Sequence, residues 1–141
     1  MRFVGGEEII SFDFKTAELV PVGANHVSAS LFAFTGESTD GASRARHLAD
    51  LDCVLFVADS RPDRLGDNIA SLKAVTAMRV LHEVPVIVLY NKRDLPDATP
   101  VGELQAALNR AGATHIEASA VTGEGCAAVL GALVSAAFAA D

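Results

Sequence analysis

Two uninterrupted apolar runs, Cys53 to Ala58 and Val86 to Tyr90, constrain the fold of this chain most strongly. Strands that are apolar on both faces are typical of parallel sheets covered by helices on each side. Between the two runs, from about Arg64 to His82, apolar residues recur at helical spacing. Because parallel strands need a crossover connection of about this length, the segment is predicted to be a right-handed crossover helix. The chain is therefore predicted to have an α/β core.

The residues before this core carry a different pattern. Apolar and polar residues alternate from about Glu8 to Lys15, and a second extended run follows from about Val27 to Phe34. A turn with Pro21, Gly23 and Asn25 separates the two runs, so an antiparallel hairpin is predicted. The segment from Asp40 to Asp50 is predicted to form a short polar helix.

Three elements are predicted after the second apolar run. Thr99 as a cap and Pro100 at the first helical position indicate a helix that ends at Ala111, before Gly112. A short strand is predicted from His115 to Ala118. A final helix is predicted from about Glu124 to Ala139, with one apolar stripe in the core.

The polar residues Asn91, Lys92, Arg93 and Asp94 follow the second apolar run directly. The Asp94 carboxylate can accept two hydrogen bonds from the ring N–H and amino group of guanine, a pattern that adenine does not offer. The Lys92 stem can lie along the face of the base, and Asn91 can tie neighbouring loops together. The alternative is a polar turn between a strand and a helix. Their place at the carboxyl end of a predicted strand, where ligands bind in open α/β sheets, favours a guanine-binding loop.

With these residues the chain resembles the Ras-like small GTPases, and most closely the bacterial MglA-type polarity GTPases. The resemblance rests on the segments Ser11 to Phe14, Val54 to Ser60 and Tyr90 to Pro96. It implies a truncated Ras-like P-loop NTPase fold, with a mainly parallel sheet, one antiparallel hairpin strand and flanking helices. We expect residues 1–141 to form a single small G-domain.

The resemblance also implies a second loop that contacts the base. Ser119 and Ala120 lie where such proteins place it, and the backbone N–H of Ala120 is expected to face the guanine oxygen. Gly36 and Glu37 take the place of a switch segment, with Glu37 where related enzymes have the glutamine that orients the attacking water. A carboxylate there is a conceivable base, but phosphate would repel its charge, so no catalytic role is expected for Glu37.

One part of the family pattern does not occur in this sequence. No run of the form G-x-x-x-x-G-K-[ST] lies between Met1 and Asp141, so on the resemblance the first strand and the phosphate-binding loop lie outside these residues. In that family the first strand is central. Either the second hairpin strand pairs with Cys53 to Ala58 and closes a five-stranded sheet, or a strand of another chain fills the gap.

Composition and spacing exclude several other classes. The net charge of −7, with no Lys/Arg cluster, disfavours nucleic acid and anionic membranes as partners. No signal peptide and no apolar run long enough for a membrane span is present, and two cysteines are too few for a disulfide framework, so a cytoplasmic location is expected. The four histidines lack metal-ligand spacing, and Asp59 and Asp63 are interpreted as loop caps rather than metal ligands.

These expectations lead to two hypotheses about function, and a degraded paralogue with no retained activity is a third possibility. The first is a pseudo-GTPase that acts through protein contacts, with a roadblock-domain protein or a second copy of itself as partner. It needs no cofactor and binds GDP or GTP weakly at most. The alternative is a GTP-binding small GTPase whose phosphate-binding part comes from another chain or lies outside these residues.

Overall fold

The computed structural model describes residues 2–4, 7–15, 28–34, 51–77, 84–109 and 114–139. The chain divides into two compact units, Met1–His47 and Leu48–Asp141. Gly36, Glu37 and the helix predicted from Asp40 to Asp50 lie outside the described residues.

The first unit contains a three-stranded antiparallel sheet. Its strands, in the spatial order β1-β2-β3, are β1 (Arg2–Val4), β2 (Glu7–Lys15) and β3 (Ser28–Phe34). The register of β2 and β3 runs from Ile9 opposite Phe34 to Lys15 opposite Ser28, which confirms the predicted hairpin. The sequence analysis did not predict β1, which pairs Arg2 with Ile9 and Val4 with Glu7.

The second unit contains a three-stranded parallel sheet in the spatial order β4-β5-β6. The strands are β4 (Val54–Asp59), β5 (Val86–Asn91) and β6 (His115–Glu117). The predicted parallel α/β core is thereby confirmed. Asp59 lies opposite Asn91 in the register, and Tyr90 lies opposite Glu117, so all three strands end at one edge of the sheet.

The described strands are ordered in two sheets, each within its own unit. Pairing of the second hairpin strand with β4, one of the two expectations, involves both units and stays a prediction. Within the described part of the second unit, β4 pairs with β5 alone. The other expectation, a strand from another chain beside β4, stays a prediction, and so does a single domain over residues 1–141.

Helices connect and cover the parallel strands. A 3₁₀ turn (Pro62–Arg64) leads into α1 (Leu65–Thr76), and the other two helices are α2 (Val101–Leu108) and α3 (Cys126–Ala139). The core consists of residues from two strands and α2, namely Ala58, Val88, Tyr90, Leu104 and Leu108, with Phe56, Leu65, Leu72 and Val101 packed against it.

The predicted bounds of α2 were wrong at both ends. Pro100 has an extended backbone (ψ 140°), so the helix begins at Val101 and Pro100 takes the cap position. Within the described residues the Thr99 hydroxyl has no hydrogen-bond partner, so it does not cap the helix. The backbone N–H of Thr99 donates to the Ser60 carbonyl at 2.8 Å and holds the residue against the end of β4. The helix ends at Leu108, because Asn109 is extended.

The other two helices also differ from prediction at one end. Helix α1 ends at Thr76, whose hydroxyl donates to the Leu72 carbonyl at 2.9 Å, a contact that competes with the helical backbone bonds. Helix α3 begins at Cys126, since Gly125 has a left-handed backbone (φ 74°). Of the stripe predicted to be core in α3, Val134 is buried, whereas Cys126 and Phe138 at its two ends are exposed.

Candidate guanine-binding site

The two loops predicted to contact a base lie side by side at the carboxyl edge of the parallel sheet. The backbone N–H of Ala118 donates to the Tyr90 carbonyl at 2.9 Å, and the backbone N–H of Arg93 donates to the Ala118 carbonyl at 3.1 Å. The pairing of β5 with β6 thus continues past the ends of both strands. It brings together all five predicted base-contact residues, Asn91, Lys92, Asp94, Ser119 and Ala120, whose roles at a base remain predictions.

Asp94 and Ser119 contact each other directly. The Ser119 hydroxyl, which is buried, donates to Asp94 Oδ1 at 2.6 Å and accepts the backbone N–H of Thr122 at 3.2 Å. Asp94 itself is exposed, and within the described residues its second oxygen, Oδ2, accepts no hydrogen bond. Since each carboxylate oxygen has two lone pairs, both oxygens retain capacity for a donor from outside. Ser119 therefore orients the carboxylate and leaves room for the two N–H donors of a guanine.

The Asn91 side chain links the two loops by a hydrogen bond from a backbone N–H group of the second loop. The backbone N–H of Ala120 donates to Asn91 Oδ1 at 3.0 Å. This is the N–H group that the sequence analysis directs at the guanine oxygen. A base that takes this donor must share it with the Asn91 side chain or replace that contact.

Lys92 joins the base loop to the end of β4. Its ammonium lies 2.8 Å from Asp59 Oδ2, and its backbone is left-handed (φ 65°). For a residue other than glycine this conformation costs about 1–2 kcal/mol, so the surrounding contacts must hold it.

Asp59 holds a second cation as well as Lys92. The Arg61 guanidinium contacts the carboxylate with Nη2 at 2.7 Å and Nε at 3.0 Å, and the backbone N–H of Arg61 donates to Oδ1 at 3.1 Å. The Arg61 side chain, followed by the Lys92 ammonium, holds the pKa of Asp59 well below its usual range. The interpretation of Asp59 as a loop cap accounts for its bond with the Arg61 N–H. It did not include the contact with Lys92, because 33 residues separate Lys92 from Asp59.

Arg93 is a further residue of the site, and no role was predicted for it. Its Nη1 donates to the Thr99 carbonyl at 2.7 Å, and its Nε lies 3.5 Å from Glu117 Oε2. With its side chain only 20% exposed, Arg93 links the base loop to the start of α2 and the end of β6.

The second loop depends on one glycine. Gly125 has φ 74°, and a Cβ atom at this position would overlap the Glu117 carbonyl oxygen. The backbone N–H of Ser119 donates to the Glu124 carbonyl at 2.9 Å, just before this glycine. The loop can therefore close onto the end of β6 only with glycine at position 125.

Two kinds of feature were not found in the part of the chain that the structure describes. Its His, Cys, Asp and Glu side chains form no group of three or more that could hold a metal ion. None of its helices has both the length and the apolar composition needed to cross a membrane.

Comparison with known proteins agrees with this geometry. Residues 16–139 match the ADP-ribosylation factor (Arf) family, a range that contains both predicted base loops. The chain belongs to the Arf/Ras-like small GTPases. It is 33% identical over 124 residues to the mutual gliding-motility protein MglA of Myxococcus xanthus (strain DK1622), a match that covers 84% of this chain.

The comparison confirms the resemblance to Ras-like GTPases and to MglA, and with it the Ras-like fold class. The chain spans 64% of the length of the MglA protein that it matches.

Proposed function

We propose that these 141 residues form an MglA-like G-domain that reads a guanine base weakly, does not hydrolyse GTP by itself, and acts through contacts with another protein. The observation that carries the proposal is the juxtaposition of Asp94, oriented by Ser119 at 2.6 Å, with the Ala120 N–H held by Asn91 at 3.0 Å. Asp94 offers acceptors for two N–H donors, and the Ala120 N–H, shared with Asn91 or released by it, offers a donor for one oxygen. This set of groups is complementary to the edge of guanine.

The expected weakness follows from the contacts that a base alone can make. Charge-assisted hydrogen bonds contribute about 1.5–3 kcal/mol each, so four or five phosphate contacts represent about 6–15 kcal/mol. A nanomolar site corresponds to about −12 kcal/mol, and without those contacts its affinity falls to the millimolar range or weaker. Hydrolysis depends on the same phosphate contacts, because it requires positioning and charge stabilisation.

Two observations support a protein partner. Within the described part of the second unit, β4 is an edge strand, and an unpaired edge is a template for a strand of another chain. Val57, in the middle of β4, is 51% exposed. We propose a roadblock-domain protein or a second copy of this chain as the partner, in the cytoplasm.

Isothermal titration with GDP, GTP and ADP, each with and without Mg²⁺, tests the proposal. We expect weak binding of GDP and GTP that does not require Mg²⁺, and weaker binding of ADP. Asp94→Ala should abolish the preference for guanine. Asp97→Asn is the matched control, because Asp97 is an exposed acid of the same loop. Sub-micromolar, Mg²⁺-dependent binding would refute the pseudo-GTPase proposal.

The second candidate is a GTP-binding small GTPase whose phosphate-binding part is supplied by another polypeptide or by residues beyond these 141. The contacts between Asp94 and Ser119 and between Asn91 and Ala120 support it, since they order both proposed base loops. Its test is an upstream reading frame that encodes G-x-x-x-x-G-K-[ST]. The extended polypeptide should then bind GTP with Mg²⁺ at sub-micromolar concentration.

A further inference from the structure

We propose that Asp59 is a positioning residue of the base loop, and that it acts by holding the Lys92 side chain. The expected effect on nucleotide affinity rests on the proposed function, whereas the expected effect on the Lys92 side chain does not.

The strand register brings Asp59 and the base loop together. Asp59 is the last residue of β4 and lies opposite Asn91, the last residue of β5. The next residue along the chain, Lys92, reaches back across the two strand ends and places its ammonium 2.8 Å from Asp59 Oδ2. The carboxylate is thus the anchor of the Lys92 side chain on the neighbouring strand.

The anchor is itself fixed from two directions. Asn68 of α1, which is buried, bonds both backbone groups of Asp59: its Oδ1 accepts the Asp59 N–H at 3.1 Å, and its Nδ2 donates to the Asp59 carbonyl at 2.8 Å. Arg61 holds the carboxylate with its guanidinium, with Nη2 2.7 Å from Oδ2. An acceptor whose backbone and side chain are both restrained presents its oxygen in one place.

The contact with Asp59 also restrains the apolar stem of the Lys92 side chain. This stem is the apolar surface that is predicted to lie along the face of a base, and its ammonium end bonds Asp59. Without Asp59 the side chain would be free to change rotamer, and a base would have to order it on binding. Asp59 thus makes part of the site rigid before the nucleotide arrives, although no base contact is assigned to it.

The experiment compares Asp59→Asn with Asp63→Asn and Arg61→Ala. Asp63 is an exposed carboxylate four residues further along, so its variant is the matched control for loss of a negative charge. Arg61→Ala removes the second cation and leaves the Asp59–Lys92 pair. The first readout, without ligand, is the NMR signal of the Lys92 ammonium and the heteronuclear NOE of its backbone amide. The second is the dissociation constant for GDP.

In Asp59→Asn we expect the Lys92 ammonium signal to broaden or vanish and GDP to bind about two- to fivefold more weakly, as for loss of a partly exposed ion pair. Asp63→Asn should change neither readout, and Arg61→Ala should keep the Lys92 signal. An unchanged Lys92 signal in a folded Asp59→Asn variant overturns the proposal. So does an equal GDP affinity in a variant whose Lys92 signal is lost.

The two proposals fail in different ways. If the wild-type chain binds no guanine nucleotide, the proposed function is wrong, and the ammonium signal still decides whether Asp59 holds Lys92. If the wild type binds GDP and only the Asp59 variants behave unexpectedly, the base-reading function stands and the positioning role is wrong.

Discussion

Replacement of Arg93 by alanine should destabilise the second unit strongly, although Arg93 lies in a loop, where substitutions usually cost little stability. Arg93 holds two elements at once, donating to the Thr99 carbonyl at 2.7 Å and pairing with Glu117 at 3.5 Å. Both contacts are lost in Arg93→Ala, and the Thr99 carbonyl loses this donor.

The magnitude follows from these contacts. A hydrogen bond to a charged donor is worth about 1.5–3 kcal/mol when it is partly shielded from solvent, as it is for a side chain that is 20% exposed. The Glu117 side chain is 50% exposed, so its ion pair adds at most about 1 kcal/mol. We therefore expect the free energy of unfolding of Arg93→Ala to fall by about 2–3 kcal/mol.

Urea unfolding, monitored by tyrosine fluorescence, measures the free energy of unfolding of the second unit. Tyr90 is the only tyrosine, the chain has no tryptophan, and Tyr90 is fully buried in β5. Arg64→Ala is the matched control, because Arg64 is 45% exposed and pairs with Asp67 three residues away in the same helical segment. The control should cost about 0.5 kcal/mol or less.

The reasoning is refuted if the two arginine variants unfold at the same urea concentration. That result would mean that the bond from Arg93 to Thr99 adds no more stability than an exposed pair on the helix surface. Arg93→Lys should lie between the wild type and Arg93→Ala, because one ammonium cannot replace the fork that reaches both partners.

Three further predictions rest on single side chains. Tyr90→Phe should leave the free energy of unfolding unchanged or raise it by about 1 kcal/mol, because the buried Tyr90 hydroxyl has no hydrogen-bond partner within the described residues; urea unfolding followed by circular dichroism measures it. Cys126 should react with a thiol reagent at pH 8 well before Cys53, since Cys126 is exposed whereas burial raises the pKa of the Cys53 thiol; mass spectrometry of peptides identifies the labelled residue. Asp59→Asn should be less stable than the wild type at pH 7 and equally stable in acid. The pKa of Asp59 is lower in the folded chain than in the unfolded chain, where it is about 3.9, so the ionised carboxylate stabilises the fold above that pH. This contribution is lost as the pH falls from about 3.9 towards the pKa of the folded state.

The parallel core was predictable because its signals are local and strong. The apolar strands β4 and β5 and the polar residues from Asn91 to Asp94 lie where the sequence indicates. The three-residue strand β1 was missed, because so short a strand has no periodicity of its own and exists through its pairing with β2. The start of α2 was misplaced because Pro100 suits both a cap and a first helical position.

The predicted base-contact residues do lie together, but their contacts with one another were not predictable. Asn91, Asp94, Ser119 and Ala120 are identified by motif and by place along the chain. Two of these contacts depend on the register of neighbouring strands: the bond from the Ala120 N–H to Asn91, and the bond from Lys92 to Asp59. No local pattern encodes such contacts across 29 or 33 residues.

We propose that these residues read the base of a guanine nucleotide and gain nothing from its phosphates. The most direct measurement is the dissociation constant of the 141-residue chain for guanosine, GMP, GDP and GTP in one buffer with Mg²⁺. We expect the four constants to agree within about threefold, since all the proposed contacts are to the base and a factor of three is under 1 kcal/mol. Affinity that rises more than a hundredfold from guanosine to GTP would contradict the account.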